Sequence, residues 1–584
     1  MRQIIYVSIA LLALCILYIA TEPDYPITNS LYFHNGIILT MEDNLPRADA
    51  IFIDRGKIIA VGSDLNLRHY KNKDTEVIDL KGKTILPGFI DPHTHPIAST
   101  FLHGMIDLSG FTHSTKKDIW FHLESQIAQF NQGEWILCKG LDVVLVEDLV
   151  PPHISYLDSI SPNNPLIISS LSMHSFWGNS LAFKNAGINK HSPNPKGPGF
   201  YGRDTSGELT GYIYEQSAFE PFKKAVISAM GRDALKDKCV TVLDSYARNG
   251  NTSIVSMGIT TDDANVLRLY KHLSSEKLFF LNKSLQKLGF LPKRKPTVRN
   301  FVFLRYDAEH LLPKSHINGD DSFKVLGVKF WYDGSPYTGS MYLKDAYLSS
   351  VLNREKLNLS ITHNGTALLS PSGLTNKIHQ YDAGGWQVAI HTQGDKAIEE
   401  TLTAFENANI SQASRHRLEH CLLPSDKSIK KMAELGLSPS FHINHLWYYG
   451  ESLEKHIIGK DRTENILPIK KTENASLKYS LHADQPMFTS SPLDLIHTAV
   501  NRKTRFGKII GKENKISVLS ALKAVTIDAA WQIKMENKIG SIAVGKYADF
   551  VILNKNPLSV NPENLNKIQV LQTIVNGNTI FQYN

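Results

Sequence analysis

His93 and His95 stand one residue apart at the end of Thr84-Ile85-Leu86-Pro87-Gly88-Phe89-Ile90-Asp91-Pro92-His93-Thr94-His95-Pro96. The apolar, β-compatible run before them reads as a buried strand, and side chains two apart on a strand share a face. Two imidazoles can therefore converge on one point. A divalent ion suits that point, because neutral imidazole binds zinc and its neighbours at about 2.0–2.1 Å. Chance also produces His-x-His in a chain with 23 histidines, so the pair needs partners from elsewhere in the sequence. A second chemical oddity is Lys329, which interrupts the apolar run Val325-Leu326-Gly327-Val328-Lys329-Phe330-Trp331. A buried ammonium is costly, so Lys329 either has a function, pairs with Asp333, or points outward.

The segment Leu86-Pro87-Gly88-Phe89-Ile90-Asp91-Pro92-His93-Thr94-His95 resembles the first-strand motif of the amidohydrolase superfamily. The resemblance implies an α/β fold, a distorted TIM (β/α)8 barrel, with further metal ligands at later strand ends. Trp386-Gln387-Val388-Ala389-Ile390-His391-Thr392-Gln393-Gly394-Asp395 and Arg415-His416-Arg417-Leu418-Glu419-His420 are similar to motifs of its amidohydrolase-3 branch, the N-substituted-formamide-deformylase-like family. There His391 and His420 would be metal ligands. Asp484, in Leu481-His482-Ala483-Asp484-Gln485-Pro486, would touch the metal and shuttle protons as the catalytic acid and base. The usual pattern there is Gly-Ser-Asp-x-Pro, and Asp484 could instead cap the next helix. Members with two ions carboxylate a strand lysine, which gives Lys329 a bridging role. His174 and Glu215, in Met173-His174-Ser175-Phe176-Trp177-Gly178-Asn179 and Gly207-Glu208-Leu209-Thr210-Gly211-Tyr212-Ile213-Tyr214-Glu215, match the branch as substrate-facing groups. Both could equally be packing or solvated residues. His445 lies in Phe441-His442-Ile443-Asn444-His445, where the branch more often has Gln-Pro; it is a substrate-binding candidate or a structural histidine.

The elements that must hold these residues fall into three parts. Short alternating runs such as Ala50-Ile51-Phe52-Ile53 and Lys57-Ile58-Ile59-Ala60-Val61-Gly62 assign residues 27–88 to antiparallel strands. The same style returns over residues 535–584. The resemblance joins these two ends into one small β-sandwich domain, whereas the strands alone allow two unrelated sheets. Between them, residues 89–534 alternate apolar strands with helical stretches such as Ala397 to Asn407 and Ser425 to Leu435, as a parallel barrel does. Residues 100–215, with Trp120, Trp135, Trp177 and many Pro and Gly, read as a less regular insertion over the barrel mouth.

At 584 residues the chain exceeds a barrel of about 250 residues, which requires the extra parts. Hydrophobic content of 42% and a net charge of +7 describe a globular protein and give no reason to invoke nucleic acid. The densest basic run, Lys293-Arg294-Lys295, reads as a solvated loop. Residues 1–22, uncharged from Ile4 to Ala20, read as a signal peptide or membrane anchor, placing the protein on the periplasmic or extracellular side. Cys15 faintly resembles a lipoprotein site. Cys138, Cys239 and Cys421 are too few and too spread for a disulfide framework and are expected free and buried. No Gly-x-Ser-x-Gly elbow, His-Glu-x-x-His helix or phosphate loop is present.

The expected function is a metal-dependent amidohydrolase acting on a non-peptide carbon–nitrogen bond, an amide or N-substituted formamide, of a small-molecule substrate. One or two divalent ions, zinc first, would lower the pKa of bound water to about 7. A heterocycle deaminase of the same fold and a catalytically silent metal-binding protein are the alternatives. Homo-oligomerisation is left open.

Overall fold

The computed structural model describes residues 30–146, 148–171, 173–196, 199–275 and 296–583. The amino-terminal export or anchor segment and the Lys293-Arg294-Lys295 run lie outside the described residues. Among the described residues no helix is long and apolar enough to cross a membrane.

Eight parallel strands form the centre: β1 (Phe89–Thr94), β2 (Asn251–Ile259), β3 (Arg299–Arg305), β4 (Phe323–Trp331), β5 (Gln387–Thr392), β6 (Arg417–His420), β7 (Ser438–Phe441) and β8 (Ser480–Leu481). Each pairs with its sequence neighbour, the order expected when every strand is followed by a returning helix. Their near-continuous apolar runs reflect burial on both faces. Strands β8 and β1 complete the circuit just past their ends. There the Asp484 N–H donates to His93 O (3.2 Å) and the His95 N–H to Gln485 O (2.7 Å).

The helices between strands carry their own start and stop signals. Asp395–Asn407 buries Ala397, Ile398, Thr401, Leu402 and Phe405, the three-to-four spacing of one helical face. Asp426–Leu435 is capped by Ser425, whose hydroxyl accepts from the Ser428 N–H, and ends at Gly436 in the left-handed conformation (φ 68°). Inside the barrel, Ile90, Val255, Met257, Phe301, Phe303 and Ala389 pack with Ala529, Ala530, Ile533 and Met535, a plug supplied by the carboxyl-terminal helix Ile527–Gln532 and the residues after it.

Two further sheets use both ends of the chain. Leu31–His34, Ala50–Asp54, Lys57–Gly62 and Glu76–Asp79 form one; the other joins Ile37–Leu39, Arg47–Ala48 and Thr84–Pro87 to Phe550–Leu553, Val570–Val575 and Asn578–Gln582. Leu31, Phe33, Ile51 and Ile53 of the first meet Ile38, Ile85, Phe550, Ile552 and Ile574 of the second in one core. The antiparallel pairing of Phe550–Leu553 on Thr84–Pro87 joins the two ends directly.

The long segment between β1 and β2 is more regular than its composition suggests. Ile106–Asp107, Ile136–Leu141, Leu166–Ser170, Ser175–Gly178, Phe200–Arg203 and Leu209–Tyr214 build a six-stranded mixed sheet with cores on both faces. Pro and Gly cut these strands short enough to hide their alternation. Trp177, in the middle of the sheet, is buried against Ile106, Leu108 and Leu166. Cys138, Cys239 and Cys421 are free and buried, as expected.

Candidate metal centre

His93, His95, His391 and His420 come from three separated regions of the chain and meet at the carboxyl ends of the barrel strands. His93 closes β1 and His95 is the first residue of the turn into helix Pro96–Leu102, their ring centroids 5.4 Å apart. His420, at the end of β6, lies 4.8 Å from His93 and 4.3 Å from His391 of β5. The backbone bends sharply to achieve this. His420 (φ 71°) and Asp484 (φ 59°) both occupy the left-handed region, a strain of order 1–3 kcal/mol each that persists where the surroundings impose it and that gathers at functional sites.

Hydrogen bonds fix which ring nitrogens face the centre. His93 Nδ1 lies 2.6 Å from Glu419 Oε2; a carboxylate accepts, so Nδ1 carries the proton and Nε2 presents its lone pair. His95 Nδ1 donates to Met257 O at 2.9 Å, with the same result. Both Nε2 atoms then point at Asp484 Oδ1, at 3.5 Å from His93 and 3.0 Å from His95. Two lone pairs and a carboxylate oxygen repel one another unless a cation lies between them. These three ligand atoms lie within 4.8 Å of one another. The donor set therefore fits a divalent ion such as zinc.

Glu419 is itself clamped. Arg417 Nε lies 2.9 Å from Glu419 Oε1, and Arg417 Nη2 donates to Pro92 O at 2.9 Å, all fully buried. A carboxylate behind a metal-facing histidine sets its tautomer and basicity. Glu419→Gln is expected to weaken divalent-ion affinity by about 10–100-fold, read by competition with a metallochromic chelator; an unchanged affinity would deny Glu419 this role.

The remaining imidazoles are held neutral by burial. His93, His420, His445 and His482 are driven well below the usual histidine range by burial and by surrounding charges. Burial and Lys329 bring His391 down to about 3, and burial brings His442 to about 4. Neutral rings offer lone pairs at neutral pH. His391 is nonetheless not in any group of three ligand atoms within 4.8 Å of one another among the described residues; its Nε2 lies 3.2 Å from Gln393 Nε2.

Lys329 faces this cluster from β4. It is fully buried, its Nζ has no hydrogen-bond partner among the described residues, and it lies 5.3 Å from the Trp331 ring. Asp333 is not its partner, being committed to the backbone N–H groups of Gln393 (3.0 Å), Gly394 (2.9 Å) and Tyr342 (3.1 Å). Burial pushes the ammonium down to about 8, against the opposing pull of Glu419 and Asp484. Between about pH 8 and 10.5 the unfolded chain binds more protons than the folded one, so stability rises with pH across that window. Lys329→Met is accordingly expected to stabilise the metal-stripped protein at pH 7 by about 1–3 kcal/mol, with the gap closing as pH approaches 10.5. Denaturant titrations at pH 7 and 10 measure it, and a destabilised variant at pH 7 would contradict the account.

Of the remaining candidates, His174 Nδ1 and Glu215 Oε2 form a 2.9 Å pair in the insertion, near enough for His174 to disfavour protonation of His391. His445 is buried on helix Asn444–Ser452, its Nδ1 2.5 Å from the Tyr337 hydroxyl. The alternative of Asp484 as a helix cap does not hold, since Ser491 occupies that position of helix Pro492–Asn501. A cavity of about 460 Å³ runs between the insertion and the loop after β4, lined by Leu141, Val144, Pro152, Trp177, Tyr212 and Tyr337 among others.

A sequence model of the amidohydrolase family matches residues 76–581. The chain belongs to the amidohydrolase family. This amidohydrolase is 28% identical over 573 residues to Protein LONG AFTER FAR-RED 3 of Arabidopsis thaliana, covering 96% of this chain and 93% of the relative. It is 26% identical over 562 residues to N-substituted formamide deformylase of Arthrobacter pascens, covering 93% and 96%. An uncharacterized metal-dependent hydrolase of Pyrococcus horikoshii OT3 shares its fold with a TM-score of 0.70 at 21% identity, over 91% of this chain and 99% of that one. The family relation makes the protein a hydrolase of a metal-dependent family, and its barrel carries buried His and Asp groups that could hold a metal.

Within the amidohydrolase frame, sequence reasoning missed Arg417 and Glu419, which orient His93, and gave no role to His442 and His482. Arg417 and Glu419 are charged residues inside a buried strand. The logic that singled out Lys329 applies equally to them.

Proposed function

We propose that this amidohydrolase cleaves a non-peptide carbon–nitrogen bond, an amide or N-substituted formamide, at the carboxyl end of its barrel. The observation that carries the reading is the convergence of His93 Nε2 and His95 Nε2 on Asp484 Oδ1. The named activity of the Arthrobacter pascens relative supports the bond class. A divalent ion held by His93, His95 and Asp484 would supply Lewis acidity and make water a competent nucleophile near neutral pH.

The chain's own residues do the rest. Glu419 and Met257 O fix the tautomers of His93 and His95. Asp484 takes a proton from the attacking water at a carboxylate oxygen and returns it to the nitrogen as the carbon–nitrogen bond breaks, releasing an amine and a carboxylate. A carboxylate is ionised at neutral pH and so is ready to accept the proton as the water is attacked. Lys329, either as a free amine or carboxylated, His391 and His420 are the further candidate ligands of the centre, and His174, Glu215 and His445 are the candidate substrate-binding groups. The apolar cavity beside Tyr337 takes the substituent. Residues 1–22 carry the further proposal of export or anchoring, testable by fractionating cells that express the full chain.

A panel of N-formyl and N-acyl amines, unsubstituted heterocyclic amines and dipeptides, scored for released amine and ammonia, tests the bond class. Turnover confined to the formyl and acyl amines supports it. Ammonia from the heterocycles alone would replace it with deamination, and a metal-loaded protein inert to the whole panel would leave a binding protein.

A further inference from the structure

A carboxylate stands among aromatic rings in the cavity between the insertion and the barrel. Asp142 follows strand Ile136–Leu141 of the insertion sheet and lines this space of about 460 Å³ together with Trp177, Tyr212 and Tyr337. Tyr337 ties the cavity to the metal centre: its hydroxyl lies 2.5 Å from His445 Nδ1, and the His445 ring stands 6.5 Å from that of His420.

Asp142 is held in place but not neutralised. The Val144 N–H donates to Oδ1 at 2.7 Å, and the Tyr449 hydroxyl donates to Oδ2 at 2.6 Å from a ring stacked on Tyr337 at 3.8 Å. Burial raises the carboxyl above the ordinary carboxylate range in spite of the Tyr449 hydroxyl, the backbone donors of Val144 and Leu145 and the more distant charge of Arg505. Arg505 is itself turned to Gly110 O at 3.0 Å, and no cation pairs with Asp142 among the described residues. Two other titratable groups line the cavity. Lys356 extends Nζ towards Val143 O at 3.5 Å, and His153 Nδ1 is taken up by Ser155 at the start of its own helix.

We propose that this cavity recognises an organic cation: the preferred amide carries a second, positively charged nitrogen on its N-substituent, which lies against Trp177, Tyr212 and Tyr337 with its charge on Asp142. Aromatic faces attract a cation through their electron-rich quadrupoles, and a partly desolvated carboxylate supplies the countercharge. A carboxylate offers about four lone-pair sites, so the Val144, Leu145 and Tyr449 donors leave acceptor capacity for a guest. A neutral substituent would fill the same volume and leave the acid without its counterion. This substrate class rests on the bond class proposed above, and hydrolysis of such an amide releases a carboxylate and a diamine. Asp142 also straps the insertion to helix Asn444–Ser452 through Tyr449. An asparagine can keep that strap, because its oxygen accepts from a hydroxyl; what it lacks is the charge.

The experiment uses full-length, metal-loaded protein and size-matched N-formyl amines whose substituents end in an ammonium, a methyl group or a carboxylate. The ammonium set is expected to exceed the methyl set by about tenfold in kcat/KM, mainly through KM, and Asp142→Asn to bring the two within about threefold. Benzyltrimethylammonium, titrated by calorimetry, reads the subsite without turnover. One equivalent is expected to bind, in competition with substrate, and Asp142→Asn and Tyr212→Leu are each expected to weaken it by about tenfold. Circular dichroism and thermal melting confirm that each variant folds. Equal kcat/KM for the ammonium and methyl sets, a preference for the carboxylate set, or an Asp142→Asn protein that keeps both the substrate preference and the quaternary-ammonium affinity overturns the proposal. Asp142-dependent binding of benzyltrimethylammonium with no amide turnover would sink only the bond class, and amide turnover blind to substituent charge only the cation subsite.

Discussion

Asp484→Asn is expected to lower turnover of the preferred amide by about 10²–10⁴-fold, the usual worth of a positioned acid and base. Asparagine keeps an oxygen where Oδ1 stands and so preserves part of the contact with His93 and His95, but it neither accepts nor returns a proton at neutral pH. The loss should appear in kcat under saturating metal, with KM little changed, because the proton transfers belong to the chemical step. Steady-state kinetics with metal content measured on the same sample separates this from simple ion loss. A variant that retains its metal and turns over within tenfold of the wild type would remove Asp484 from the mechanism.

Asp549→Ala is expected to cost about 3–5 kcal/mol of stability, seen as a lowered denaturant midpoint with an unchanged slope. The reason lies in Arg299 at the start of β3. Its guanidinium is fully buried, with Nε 2.7 Å and Nη2 3.1 Å from the two Asp549 oxygens, Nη1 donating to Asp321 O and Ser322 Oγ, and the Tyr547 ring 4.3 Å away. Removing the acid strands a charge between the barrel and the end sheet. Replacing Arg299 with Met in the same chain should return much of the loss, because two apolar groups in that place leave no uncompensated charge. Equal instability of the single and double variants would show that the pair is not the source.

Much of the site was legible before the fold, and for a physical reason. His93 and His95 are neighbours in sequence, and His391, His420 and Asp484 each end a recognisable strand, so a barrel that gathers strand ends gathers them as well. The ends of the chain were readable as strands through short alternating runs, but not their directions: Glu76–Asp79 lies parallel to Leu31–His34, and Thr84–Pro87 parallel to Ile37–Leu39, rather than antiparallel. Other parts depend on closure in three dimensions. Nothing near Glu419 says that its partner is His93, some 326 positions away along the chain. His442 and His482 look like unrelated departures from the family pattern until β7 and β8 bring their rings to 5.0 Å. The insertion sheet was obscured by its own brevity, with strands such as Ile106–Asp107 and Phe200–Arg203 too short to show a period. The purpose of Asp549 is visible only once Arg299 lies against it.

The seam between β8 and β1 carries a consequence for synthesis. Asp484 donates its own N–H to His93 O, so the contact that shuts the barrel also delivers the last group to the metal centre. A ribosome that has released His93 and His95 has made a metal-attracting pair that stays incomplete for nearly four hundred further residues. Non-local closure of this kind is slow, and domains settle as units once their last element has emerged. On the proposed mechanism, copies ending before Asp484 would lack the acid and base and be inactive.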